Sequence, residues 1–284
     1  MSQITIRVMT HADIDFGYHL ASDVENWGYT KEDFKRLLHY EPDGCFVAEK
    51  HAQRIGIVTT TTYGIIAHLG TLIVIPSYRN KGIGAALTEH AIEYLENRGI
   101  ETIKLDAVTK AIPLYERLGF QESFQSLRFI GSGRKTEIKG ILGMNSSDLS
   151  DVITLDHQFS GLQRERVLQH IFNDFPHLCF VSRKNSQLLG YIMAKKSIKM
   201  YKIGPWICNP DYEEIAGKLL RTVMNKANYN LIWVGLPGVN KNAVSVMKNN
   251  GFVQKSSSIR MERGKAHLSE DVRGIYGIGS PEKG

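Results

Sequence analysis

The chain has 284 residues, a hydrophobic fraction of 42% and a formal net charge of +6. This length allows two domains with apolar cores, and the charge is spread without the dense Lys/Arg stripe of a nucleic-acid-binding protein. Residues 1–30 contain no apolar signal segment and no 18-residue apolar run follows, so we expect a cytoplasmic protein without a membrane partner. The cysteines Cys45, Cys179 and Cys208 are isolated from one another, which indicates a reducing compartment. Their number and spacing predict neither a disulfide framework nor a metal site.

The first half of the chain predicts strands and helices in the order β-α-α-β-β-β-α-β-α-β, which is typical of an α/β (α+β) fold. Thr10 and Thr30 are suitable N-caps for the first two helices. Strands are expected at 4–9, 45–49, 54–63, 68–75 and 102–107, and helices at 11–24, 31–40, 85–98 and 113–118.

The most informative segment is 69–87, which reads LGTLIVIPSYRNKGIGAAL. An apolar strand ends at Pro76, a basic loop containing Gly82 and Gly84 follows, and a helix begins after it. A helix N-terminus behind such a loop presents free N–H groups and a positive dipole end to a phosphate. Neither the Walker pattern nor the G-x-G-x-x-G dinucleotide pattern is met.

Val74–Leu87 reads V-x-P-x-Y-R-x-x-G-x-G-x-x-L, which resembles the acyl-CoA pyrophosphate loop of the GCN5-related N-acetyltransferase (GNAT) superfamily. Residues 112–120, IPLYERLGF, resemble a second segment of that family. The resemblance covers about residues 1–130 and implies a mixed, mostly antiparallel sheet flanked by helices, with a β-bulge in the strand 72–75 and acetyl-CoA as cosubstrate. The implied cosubstrate contacts are Leu72, Ile73, Val74, Arg79, Asn80, Lys81, Gly82, Ile83, Gly84 and Ala85.

The same resemblance suggests catalytic residues. Tyr115 corresponds to the general acid that protonates the CoA thiolate, since a phenol with a pKa of about 10 matches a leaving thiol. His68 and Asp106 are two alternative candidates for the general base, and a neutral amine would need neither. Each of the three has an equally ordinary interpretation as a packed or strand-end residue. Val108 stands where many family members have a pantetheine-binding Asn.

Trp27, Tyr29 and Tyr63 are the predicted acceptor contacts, although Trp27 and Tyr29 could equally cap the core. The predicted function is acetyl-CoA-dependent transfer of an acetyl group to a primary amine, of a small molecule, by direct attack in a ternary complex. The alternatives are acetylation of a protein or peptide, a non-catalytic CoA-binding sensor or scaffold, and an interaction protein.

The second half repeats the first at an offset of 132–134 residues, as Pro210-Asp211-Tyr212, Gly251-Phe252 and Ile259-Arg260-Met261 show. Glu213 and Glu214 replace the basic loop and Met247 replaces Tyr115, so this copy resembles the degenerate second domain of YitH-type tandem GNAT proteins. We expect a GNAT domain at 1–133, a linker at 134–147, a degenerate GNAT-like domain at 148–264 and a flexible tail at 265–284.

Overall fold

The computed structural model of the protein describes residues 4–197, 200–265, 270–280 and 282–284. The chain divides into two compact units. The first unit contains residues 1–121, 261–266 and 282–284, and the second contains residues 122–260 and 267–281.

The first unit is a five-stranded sheet in the order β1-β2-β3-β4-β5, to which residues 261–264 add at β5. All its pairs are antiparallel except β4 with β5. The strands are β1 Thr5–Val8, β2 Phe46–Lys50, β3 Gln53–Tyr63, β4 Ile66–Val74 and β5 Thr102–Ala107, and the helices are α1 Ile14–Tyr18, α2 Lys31–Tyr40, α3 Ile83–Asn97 and α4 Ile112–Arg117.

Helix α2 begins where the sequence predicts it, because Thr30 and Asp33 form a capping box. The Thr30 hydroxyl accepts from the Asp33 amide at 3.2 Å, and the Asp33 carboxylate accepts from the Thr30 amide at 2.9 Å. The helix expected at 11–24 is one continuous run that begins as a 3₁₀ turn, becomes α1 and ends in the π-helical segment His19–Val24. Helices α1 and α2 cover one face of the sheet, and α3 covers the other.

The second unit repeats this plan with strands in the order β12-β6-β11-β10-β9-β8-β7, and β13 pairs with β10. Its apolar core lies between the sheet and α7. The strands are β6 Gln121–Ser132, β7 Leu142–Gly143, β8 Cys179–Lys184, β9 Gln187–Lys196, β10 Met200–Cys208, β11 Leu231–Pro237, β12 Val253–Gly264 and β13 Ile275–Gly277, and the helices are α5 Leu149–Ser160, α6 Glu165–Asp174, α7 Glu213–Ala227 and α8 Lys241–Asn249.

Three boundaries differ from the sequence prediction. Residues 122–133 belong to the second unit and 261–264 to the first. The expected linker contains β7, which pairs with β8, and the expected flexible tail contains β13; residues 266–269 and 281 of that tail lie outside the described residues. Composition suggested loops there, but backbone pairing with distant strands overrides local preference.

Candidate active site

Strand β4 carries a bulge at the centre of the first unit. Ile57 and Thr59 of β3 lie opposite Ile73 and Gly70 of β4, so β4 has one extra residue between them. Thr71, inside the bulge, has a left-handed φ of 51°. The bulge therefore spans residues 70–73, two residues earlier than the predicted 72–75.

Strands β4 and β5 separate beside this bulge. Their parallel register runs only from Ile66 to His68 on β4 and from Thr102 to Lys104 on β5. Beyond these pairs the backbone groups of both strands are released from each other. We refer to this unpaired gap between β4 and β5, beside the bulge, as the slot.

The loop that precedes α3 has the geometry of an anion site. Gly82 is the N-cap of α3 with φ of 80°, and a Cβ at this position would meet nothing within 4 Å. The first helical bond runs from the Ala86 amide to the Gly82 carbonyl at 3.0 Å, so the amides of Ile83, Gly84 and Ala85 precede the helical ladder. These amides and the open space beside Gly82 fit a pyrophosphate.

The basic side chains of the loop are engaged within the protein. The Arg79 guanidinium donates to the Val74 carbonyl at 2.9 Å and forms an ion pair with Glu25. Lys81 donates to the Ser77 carbonyl at 2.9 Å. In this structure, therefore, the loop backbone is the part available to a phosphate, and Arg79 holds the loop against Glu25.

Tyr115 lies on the short helix α4 and is buried, with its ring edge-on to Phe120 at a centroid distance of 5.7 Å. Burial raises the pKa of the Tyr115 phenol, because the phenolate would lose its hydration. The group therefore stays protonated at neutral pH, as a general acid must. Val108 is 42% exposed and offers no polar side chain where the family often has Asn.

The two candidate bases lie on adjacent strands. His68 is opposite Thr61 on β3 and Lys104 on β5, is fully buried, and has its ring 6.0 Å from that of Tyr63. Asp106 is half-buried and, two residues after Lys104, shares its face of β5. The His68 ring contacts that of Tyr63, and the Tyr115 ring contacts that of Phe120.

Two of the predicted acceptor residues, Trp27 and Tyr29, lie in a row of aromatic rings that continues to Phe34. The rings of Trp27 and Tyr29 are 6.3 Å apart, and those of Tyr29 and Phe34 are 5.7 Å apart. The Tyr29 hydroxyl hydrogen-bonds with Thr71 of the bulge. Sequence reasoning missed Thr71 because only strand register reveals its position in the bulge.

The second unit has the same bulge and slot. The register of β10 on β9 shifts between Ile203 and Trp206, and β10 runs parallel to β11 only through Ile203. Here strand β13 fills the slot: Gly277 pairs with Trp206, and the Ile278 amide donates to the Gly235 carbonyl at 2.9 Å.

The phosphate loop has no counterpart in the second unit. Helix α7 begins at Glu213, directly after the 3₁₀ turn Pro210–Tyr212, with Glu213 and Glu214 in its first turn. Met247, which replaces Tyr115, is fully buried in the core. A filled slot, acidic first turn and missing loop make this copy unsuited to an anionic ligand.

A bulged, splayed sheet next to an open helix N-terminus defines the class of acyl-CoA-dependent acyltransferases. Two GNAT family models match, an acetyltransferase (GNAT) family at residues 14–120 and an acetyltransferase (GNAT) domain at residues 152–277, together well over half of the chain. The chain therefore belongs to the GNAT family and carries two copies of its domain.

Individual relatives cover different shares of the chain. An uncharacterized N-acetyltransferase of Methanocaldococcus jannaschii is 31% identical over 137 residues, which are 42% of this chain and 61% of that protein. The [ribosomal protein bS18]-alanine N-acetyltransferase of Escherichia coli is 28% identical over 127 residues, 42% of this chain and 82% of that enzyme. A crystal structure of a candidate acetyltransferase from Pyrococcus horikoshii is 25% identical, with a TM-score of 0.84 over 99% of this chain and 96% of that one.

The described residues were found to contain neither a cluster of metal ligands nor a membrane-spanning helix. No group of three or more His, Cys, Asp and Glu side chains there is arranged to hold a metal ion. Within the same residues, no helix is both long and apolar enough to cross a membrane.

Proposed function

We propose that the first unit is an acetyl-CoA-dependent N-acetyltransferase that acts on a primary amine. The observation that carries this proposal is the combination of the unpaired β4–β5 slot beside the bulge at 70–73 with an α3 N-terminus whose first amides, those of Ile83, Gly84 and Ala85, precede the helical ladder. The second unit, which lacks the glycine loop and has Glu213 and Glu214 in the first turn of α7, provides a comparison within the same chain.

Acetyl-CoA supplies an acetyl group activated as a thioester. The amides of residues 83–85 would hold its pyrophosphate, with Gly82 leaving room for close approach. The released backbone of Leu72, Ile73 and Val74 would hold the pantetheine arm and the thioester carbonyl, since N–H groups directed at a developing oxyanion favour acyl transfer. Arg79 and Lys81 would place the loop and add positive potential.

The side chains on the face covered by α1 and α2 would handle the amine. Tyr115, which burial keeps protonated, would be the group that gives its proton to the leaving thiolate. His68 and Asp106 are the candidates to take a proton from the ammonium, and they occupy adjacent strands on the slot. Trp27, Tyr29 and Tyr63 would line the acceptor side.

The acceptor is an amine of a small molecule or of a peptide. The peptide alternative is supported by the name of the Escherichia coli relative, which specifies an alanine of a ribosomal protein.

The test is thiol release from acetyl-CoA by purified full-length protein over a panel of amines, polyamines and peptides, with mass confirmation of the product. Acetylated product that disappears in Gly82→Val supports the proposal. Tight CoA binding without product from any amine would instead support the non-catalytic CoA-binding alternative.

A further inference from the structure

Residues 282–284, Glu-Lys-Gly, lie inside the first unit although they end the printed sequence. The side chains of Lys283 and Glu282 are only 5% and 6% exposed. A charged three-residue segment without regular structure is rarely buried in this way unless the surrounding protein binds it.

The contacts of these residues are specific. The Tyr63 hydroxyl donates to the Lys283 carbonyl at 2.9 Å, and the Tyr29 hydroxyl hydrogen-bonds with the Glu282 carboxylate. A Cβ built on Gly70 would lie 2.6 Å from the Cα of Glu282, so the segment packs directly on the glycine that begins the β4 bulge.

The Lys283 ammonium is also held. It forms an ion pair with Glu282 at 2.7 Å, and Asp33 and Tyr40 of α2 contribute to its electrostatic environment. Burial by itself would lower the pKa of Lys283, but the negative charges of Glu282 and Asp33 outweigh it and raise that pKa. A protonated ammonium has no lone pair to attack a thioester.

The segment thus occupies the acceptor side of the proposed active site. It contacts Tyr29 and Tyr63, two of the three residues predicted to bind acceptor, and Gly70, which shares a sheet face with His68. An external acceptor and residues 282–284 cannot occupy this space together.

We propose that residues 282–284 are an intramolecular ligand of the acceptor pocket, and that the acceptor they exclude is a peptide segment bearing a lysine. This inference rests on the proposed function. The pocket offers a hydroxyl donor for an amide carbonyl, at Tyr63, and space in which the Lys283 ammonium is buried together with the Glu282 carboxylate. A lysine-bearing peptide carries both groups, and the chain itself supplies such a peptide.

The first experiment measures burial of Lys283 without reference to catalysis. Full-length protein is labelled with a trace amount of acetic anhydride, and each lysine is quantified by mass spectrometry against Lys139, whose side chain is 88% exposed. We expect Lys283 to react at least tenfold more slowly than Lys139. Gly70→Ala, which places a methyl group against Glu282, should raise the labelling of Lys283 toward that of Lys139. Equal labelling of both lysines in the unmodified protein would overturn the proposal.

The second experiment measures competition by calorimetry with the peptide Ser-Pro-Glu-Lys-Gly. The double variant Glu282→Ala/Lys283→Ala should bind this peptide at least tenfold more tightly than the unmodified protein, and a peptide with Gln in place of Lys should bind weakly. The matched control is Glu137→Ala/Lys139→Ala, which removes an exposed Glu–Lys pair and should leave peptide binding unchanged. Equal peptide affinity of the unmodified protein and the Glu282→Ala/Lys283→Ala variant would refute the intramolecular ligand.

The kinetic consequence separates the two proposals. If the protein is active, Glu282→Ala/Lys283→Ala should lower KM for the lysine peptide at least tenfold with little change in kcat, because it removes a competitor and no catalytic group. An inactive protein that passes the labelling and calorimetric tests would overturn the proposed function alone. An active protein whose KM for the peptide is unchanged by the double variant would overturn the competition alone.

Discussion

The Asn240 side chain donates a hydrogen bond of 2.9 Å to the backbone carbonyl of Ile275. The same amide nitrogen lies 3.0 Å from the carbonyls of Val272 and Arg273, and the Asn240 oxygen accepts from the Ala243 amide to cap α8. The Asn240 side chain therefore holds residues 272–275 in place by hydrogen bonds, and this segment leads into the strand that fills the slot of the second unit. Asn240 thus binds a distant segment of its own chain.

Asn240→Asp should release this segment. The substitution keeps the capping oxygen but replaces the amide donor with an oxygen that faces three carbonyls. Each buried polar group left without a partner costs about 1–3 kcal/mol, so we expect a loss of at least about 2 kcal/mol in local stability. Faster hydrogen exchange in residues 272–278 would be the readout. Asn145→Asp is the matched control, because the Asn145 side chain accepts from the Ser147 amide and a carboxylate can do the same.

Gly82 and Gly99 flank helix α3 and form a natural pair for testing the phosphate loop. Both have a left-handed φ, of 80° and 77°, and at both a Cβ would meet nothing within 4 Å. Substitution by Ala should therefore cost each site a similar amount, about 1 kcal/mol of stability. Only Gly82→Ala should weaken CoA binding, by tenfold or more in a calorimetric titration, because only Gly82 adjoins the free amides. A similar loss in Gly99→Ala would attribute the effect to the stability of α3 instead.

Tyr115→Phe should reduce kcat by about 10²–10⁴-fold, the usual contribution of a general acid, with little change in KM for acetyl-CoA. Because the ring and its contact with Phe120 are kept, the melting temperature should change little. Tyr229→Phe, at a 71% exposed position in the second unit, is the control.

The pH dependence gives a separate test of Tyr115. Burial raises its pKa above the usual value of about 10, so the acid form persists as the pH rises. At saturating amine, kcat should show no descending limb between about pH 7 and pH 10. A fall in kcat near pH 8 that is absent in Tyr115→Phe would contradict the assignment.

Asp13 should make the first unit sensitive to acid. Burial alone would raise the pKa of its carboxyl group, but hydrogen bonds from Arg7 and Thr10 outweigh this and lower the pKa to about 2. Arg54 adds a further ion pair at 2.7 Å. Since the unfolded group has a pKa of about 3.9, the folded state gains about 2 kcal/mol above that pH and loses it as the pH falls from about 5 to 2.

Urea unfolding at pH 7 and at pH 3 measures this contribution. Asp13→Asn should lower the free energy of unfolding at pH 7 and make it less dependent on pH. Asp15→Asn, two residues away with a 77% exposed side chain, should have a much smaller effect. Equal acid sensitivity of the Asp13→Asn variant and the unmodified protein would show that other groups govern acid unfolding.

Much of the fold of the first unit could be predicted from short stretches of sequence. Thr30 with Asp33 predicts the start of α2, and the segment 69–87 predicts a strand, a glycine loop and a helix in that order. These features depend on neighbouring residues, because capping, dihedral freedom and hydrophobic period are local properties. The same reasoning predicted the repeat in the second half, which the second family match confirms.

The residues of the proposed acceptor site were predicted less completely. Tyr29 and Tyr63 lie together on residues 282–284, but Thr71 and Gly70 were missed, since a bulge exists only as a shift in register between two strands. Arg79 was expected to meet the cosubstrate, and its ion pair with Glu25, 54 residues earlier in the chain, could not be read from the loop.

The sequence by itself determined that this protein is a tandem of GNAT domains and that only the first keeps a glycine loop for a phosphate. Tertiary structure alone decided where residues 270–280 and 282–284 lie. Their composition is that of a loose tail, yet β13 fills the slot of the second unit and residues 282–284 are buried in the first. The reason is physical: a segment with weak local preference takes the structure of the surface that satisfies its backbone and charges, and those surfaces are formed by residues far away in the chain.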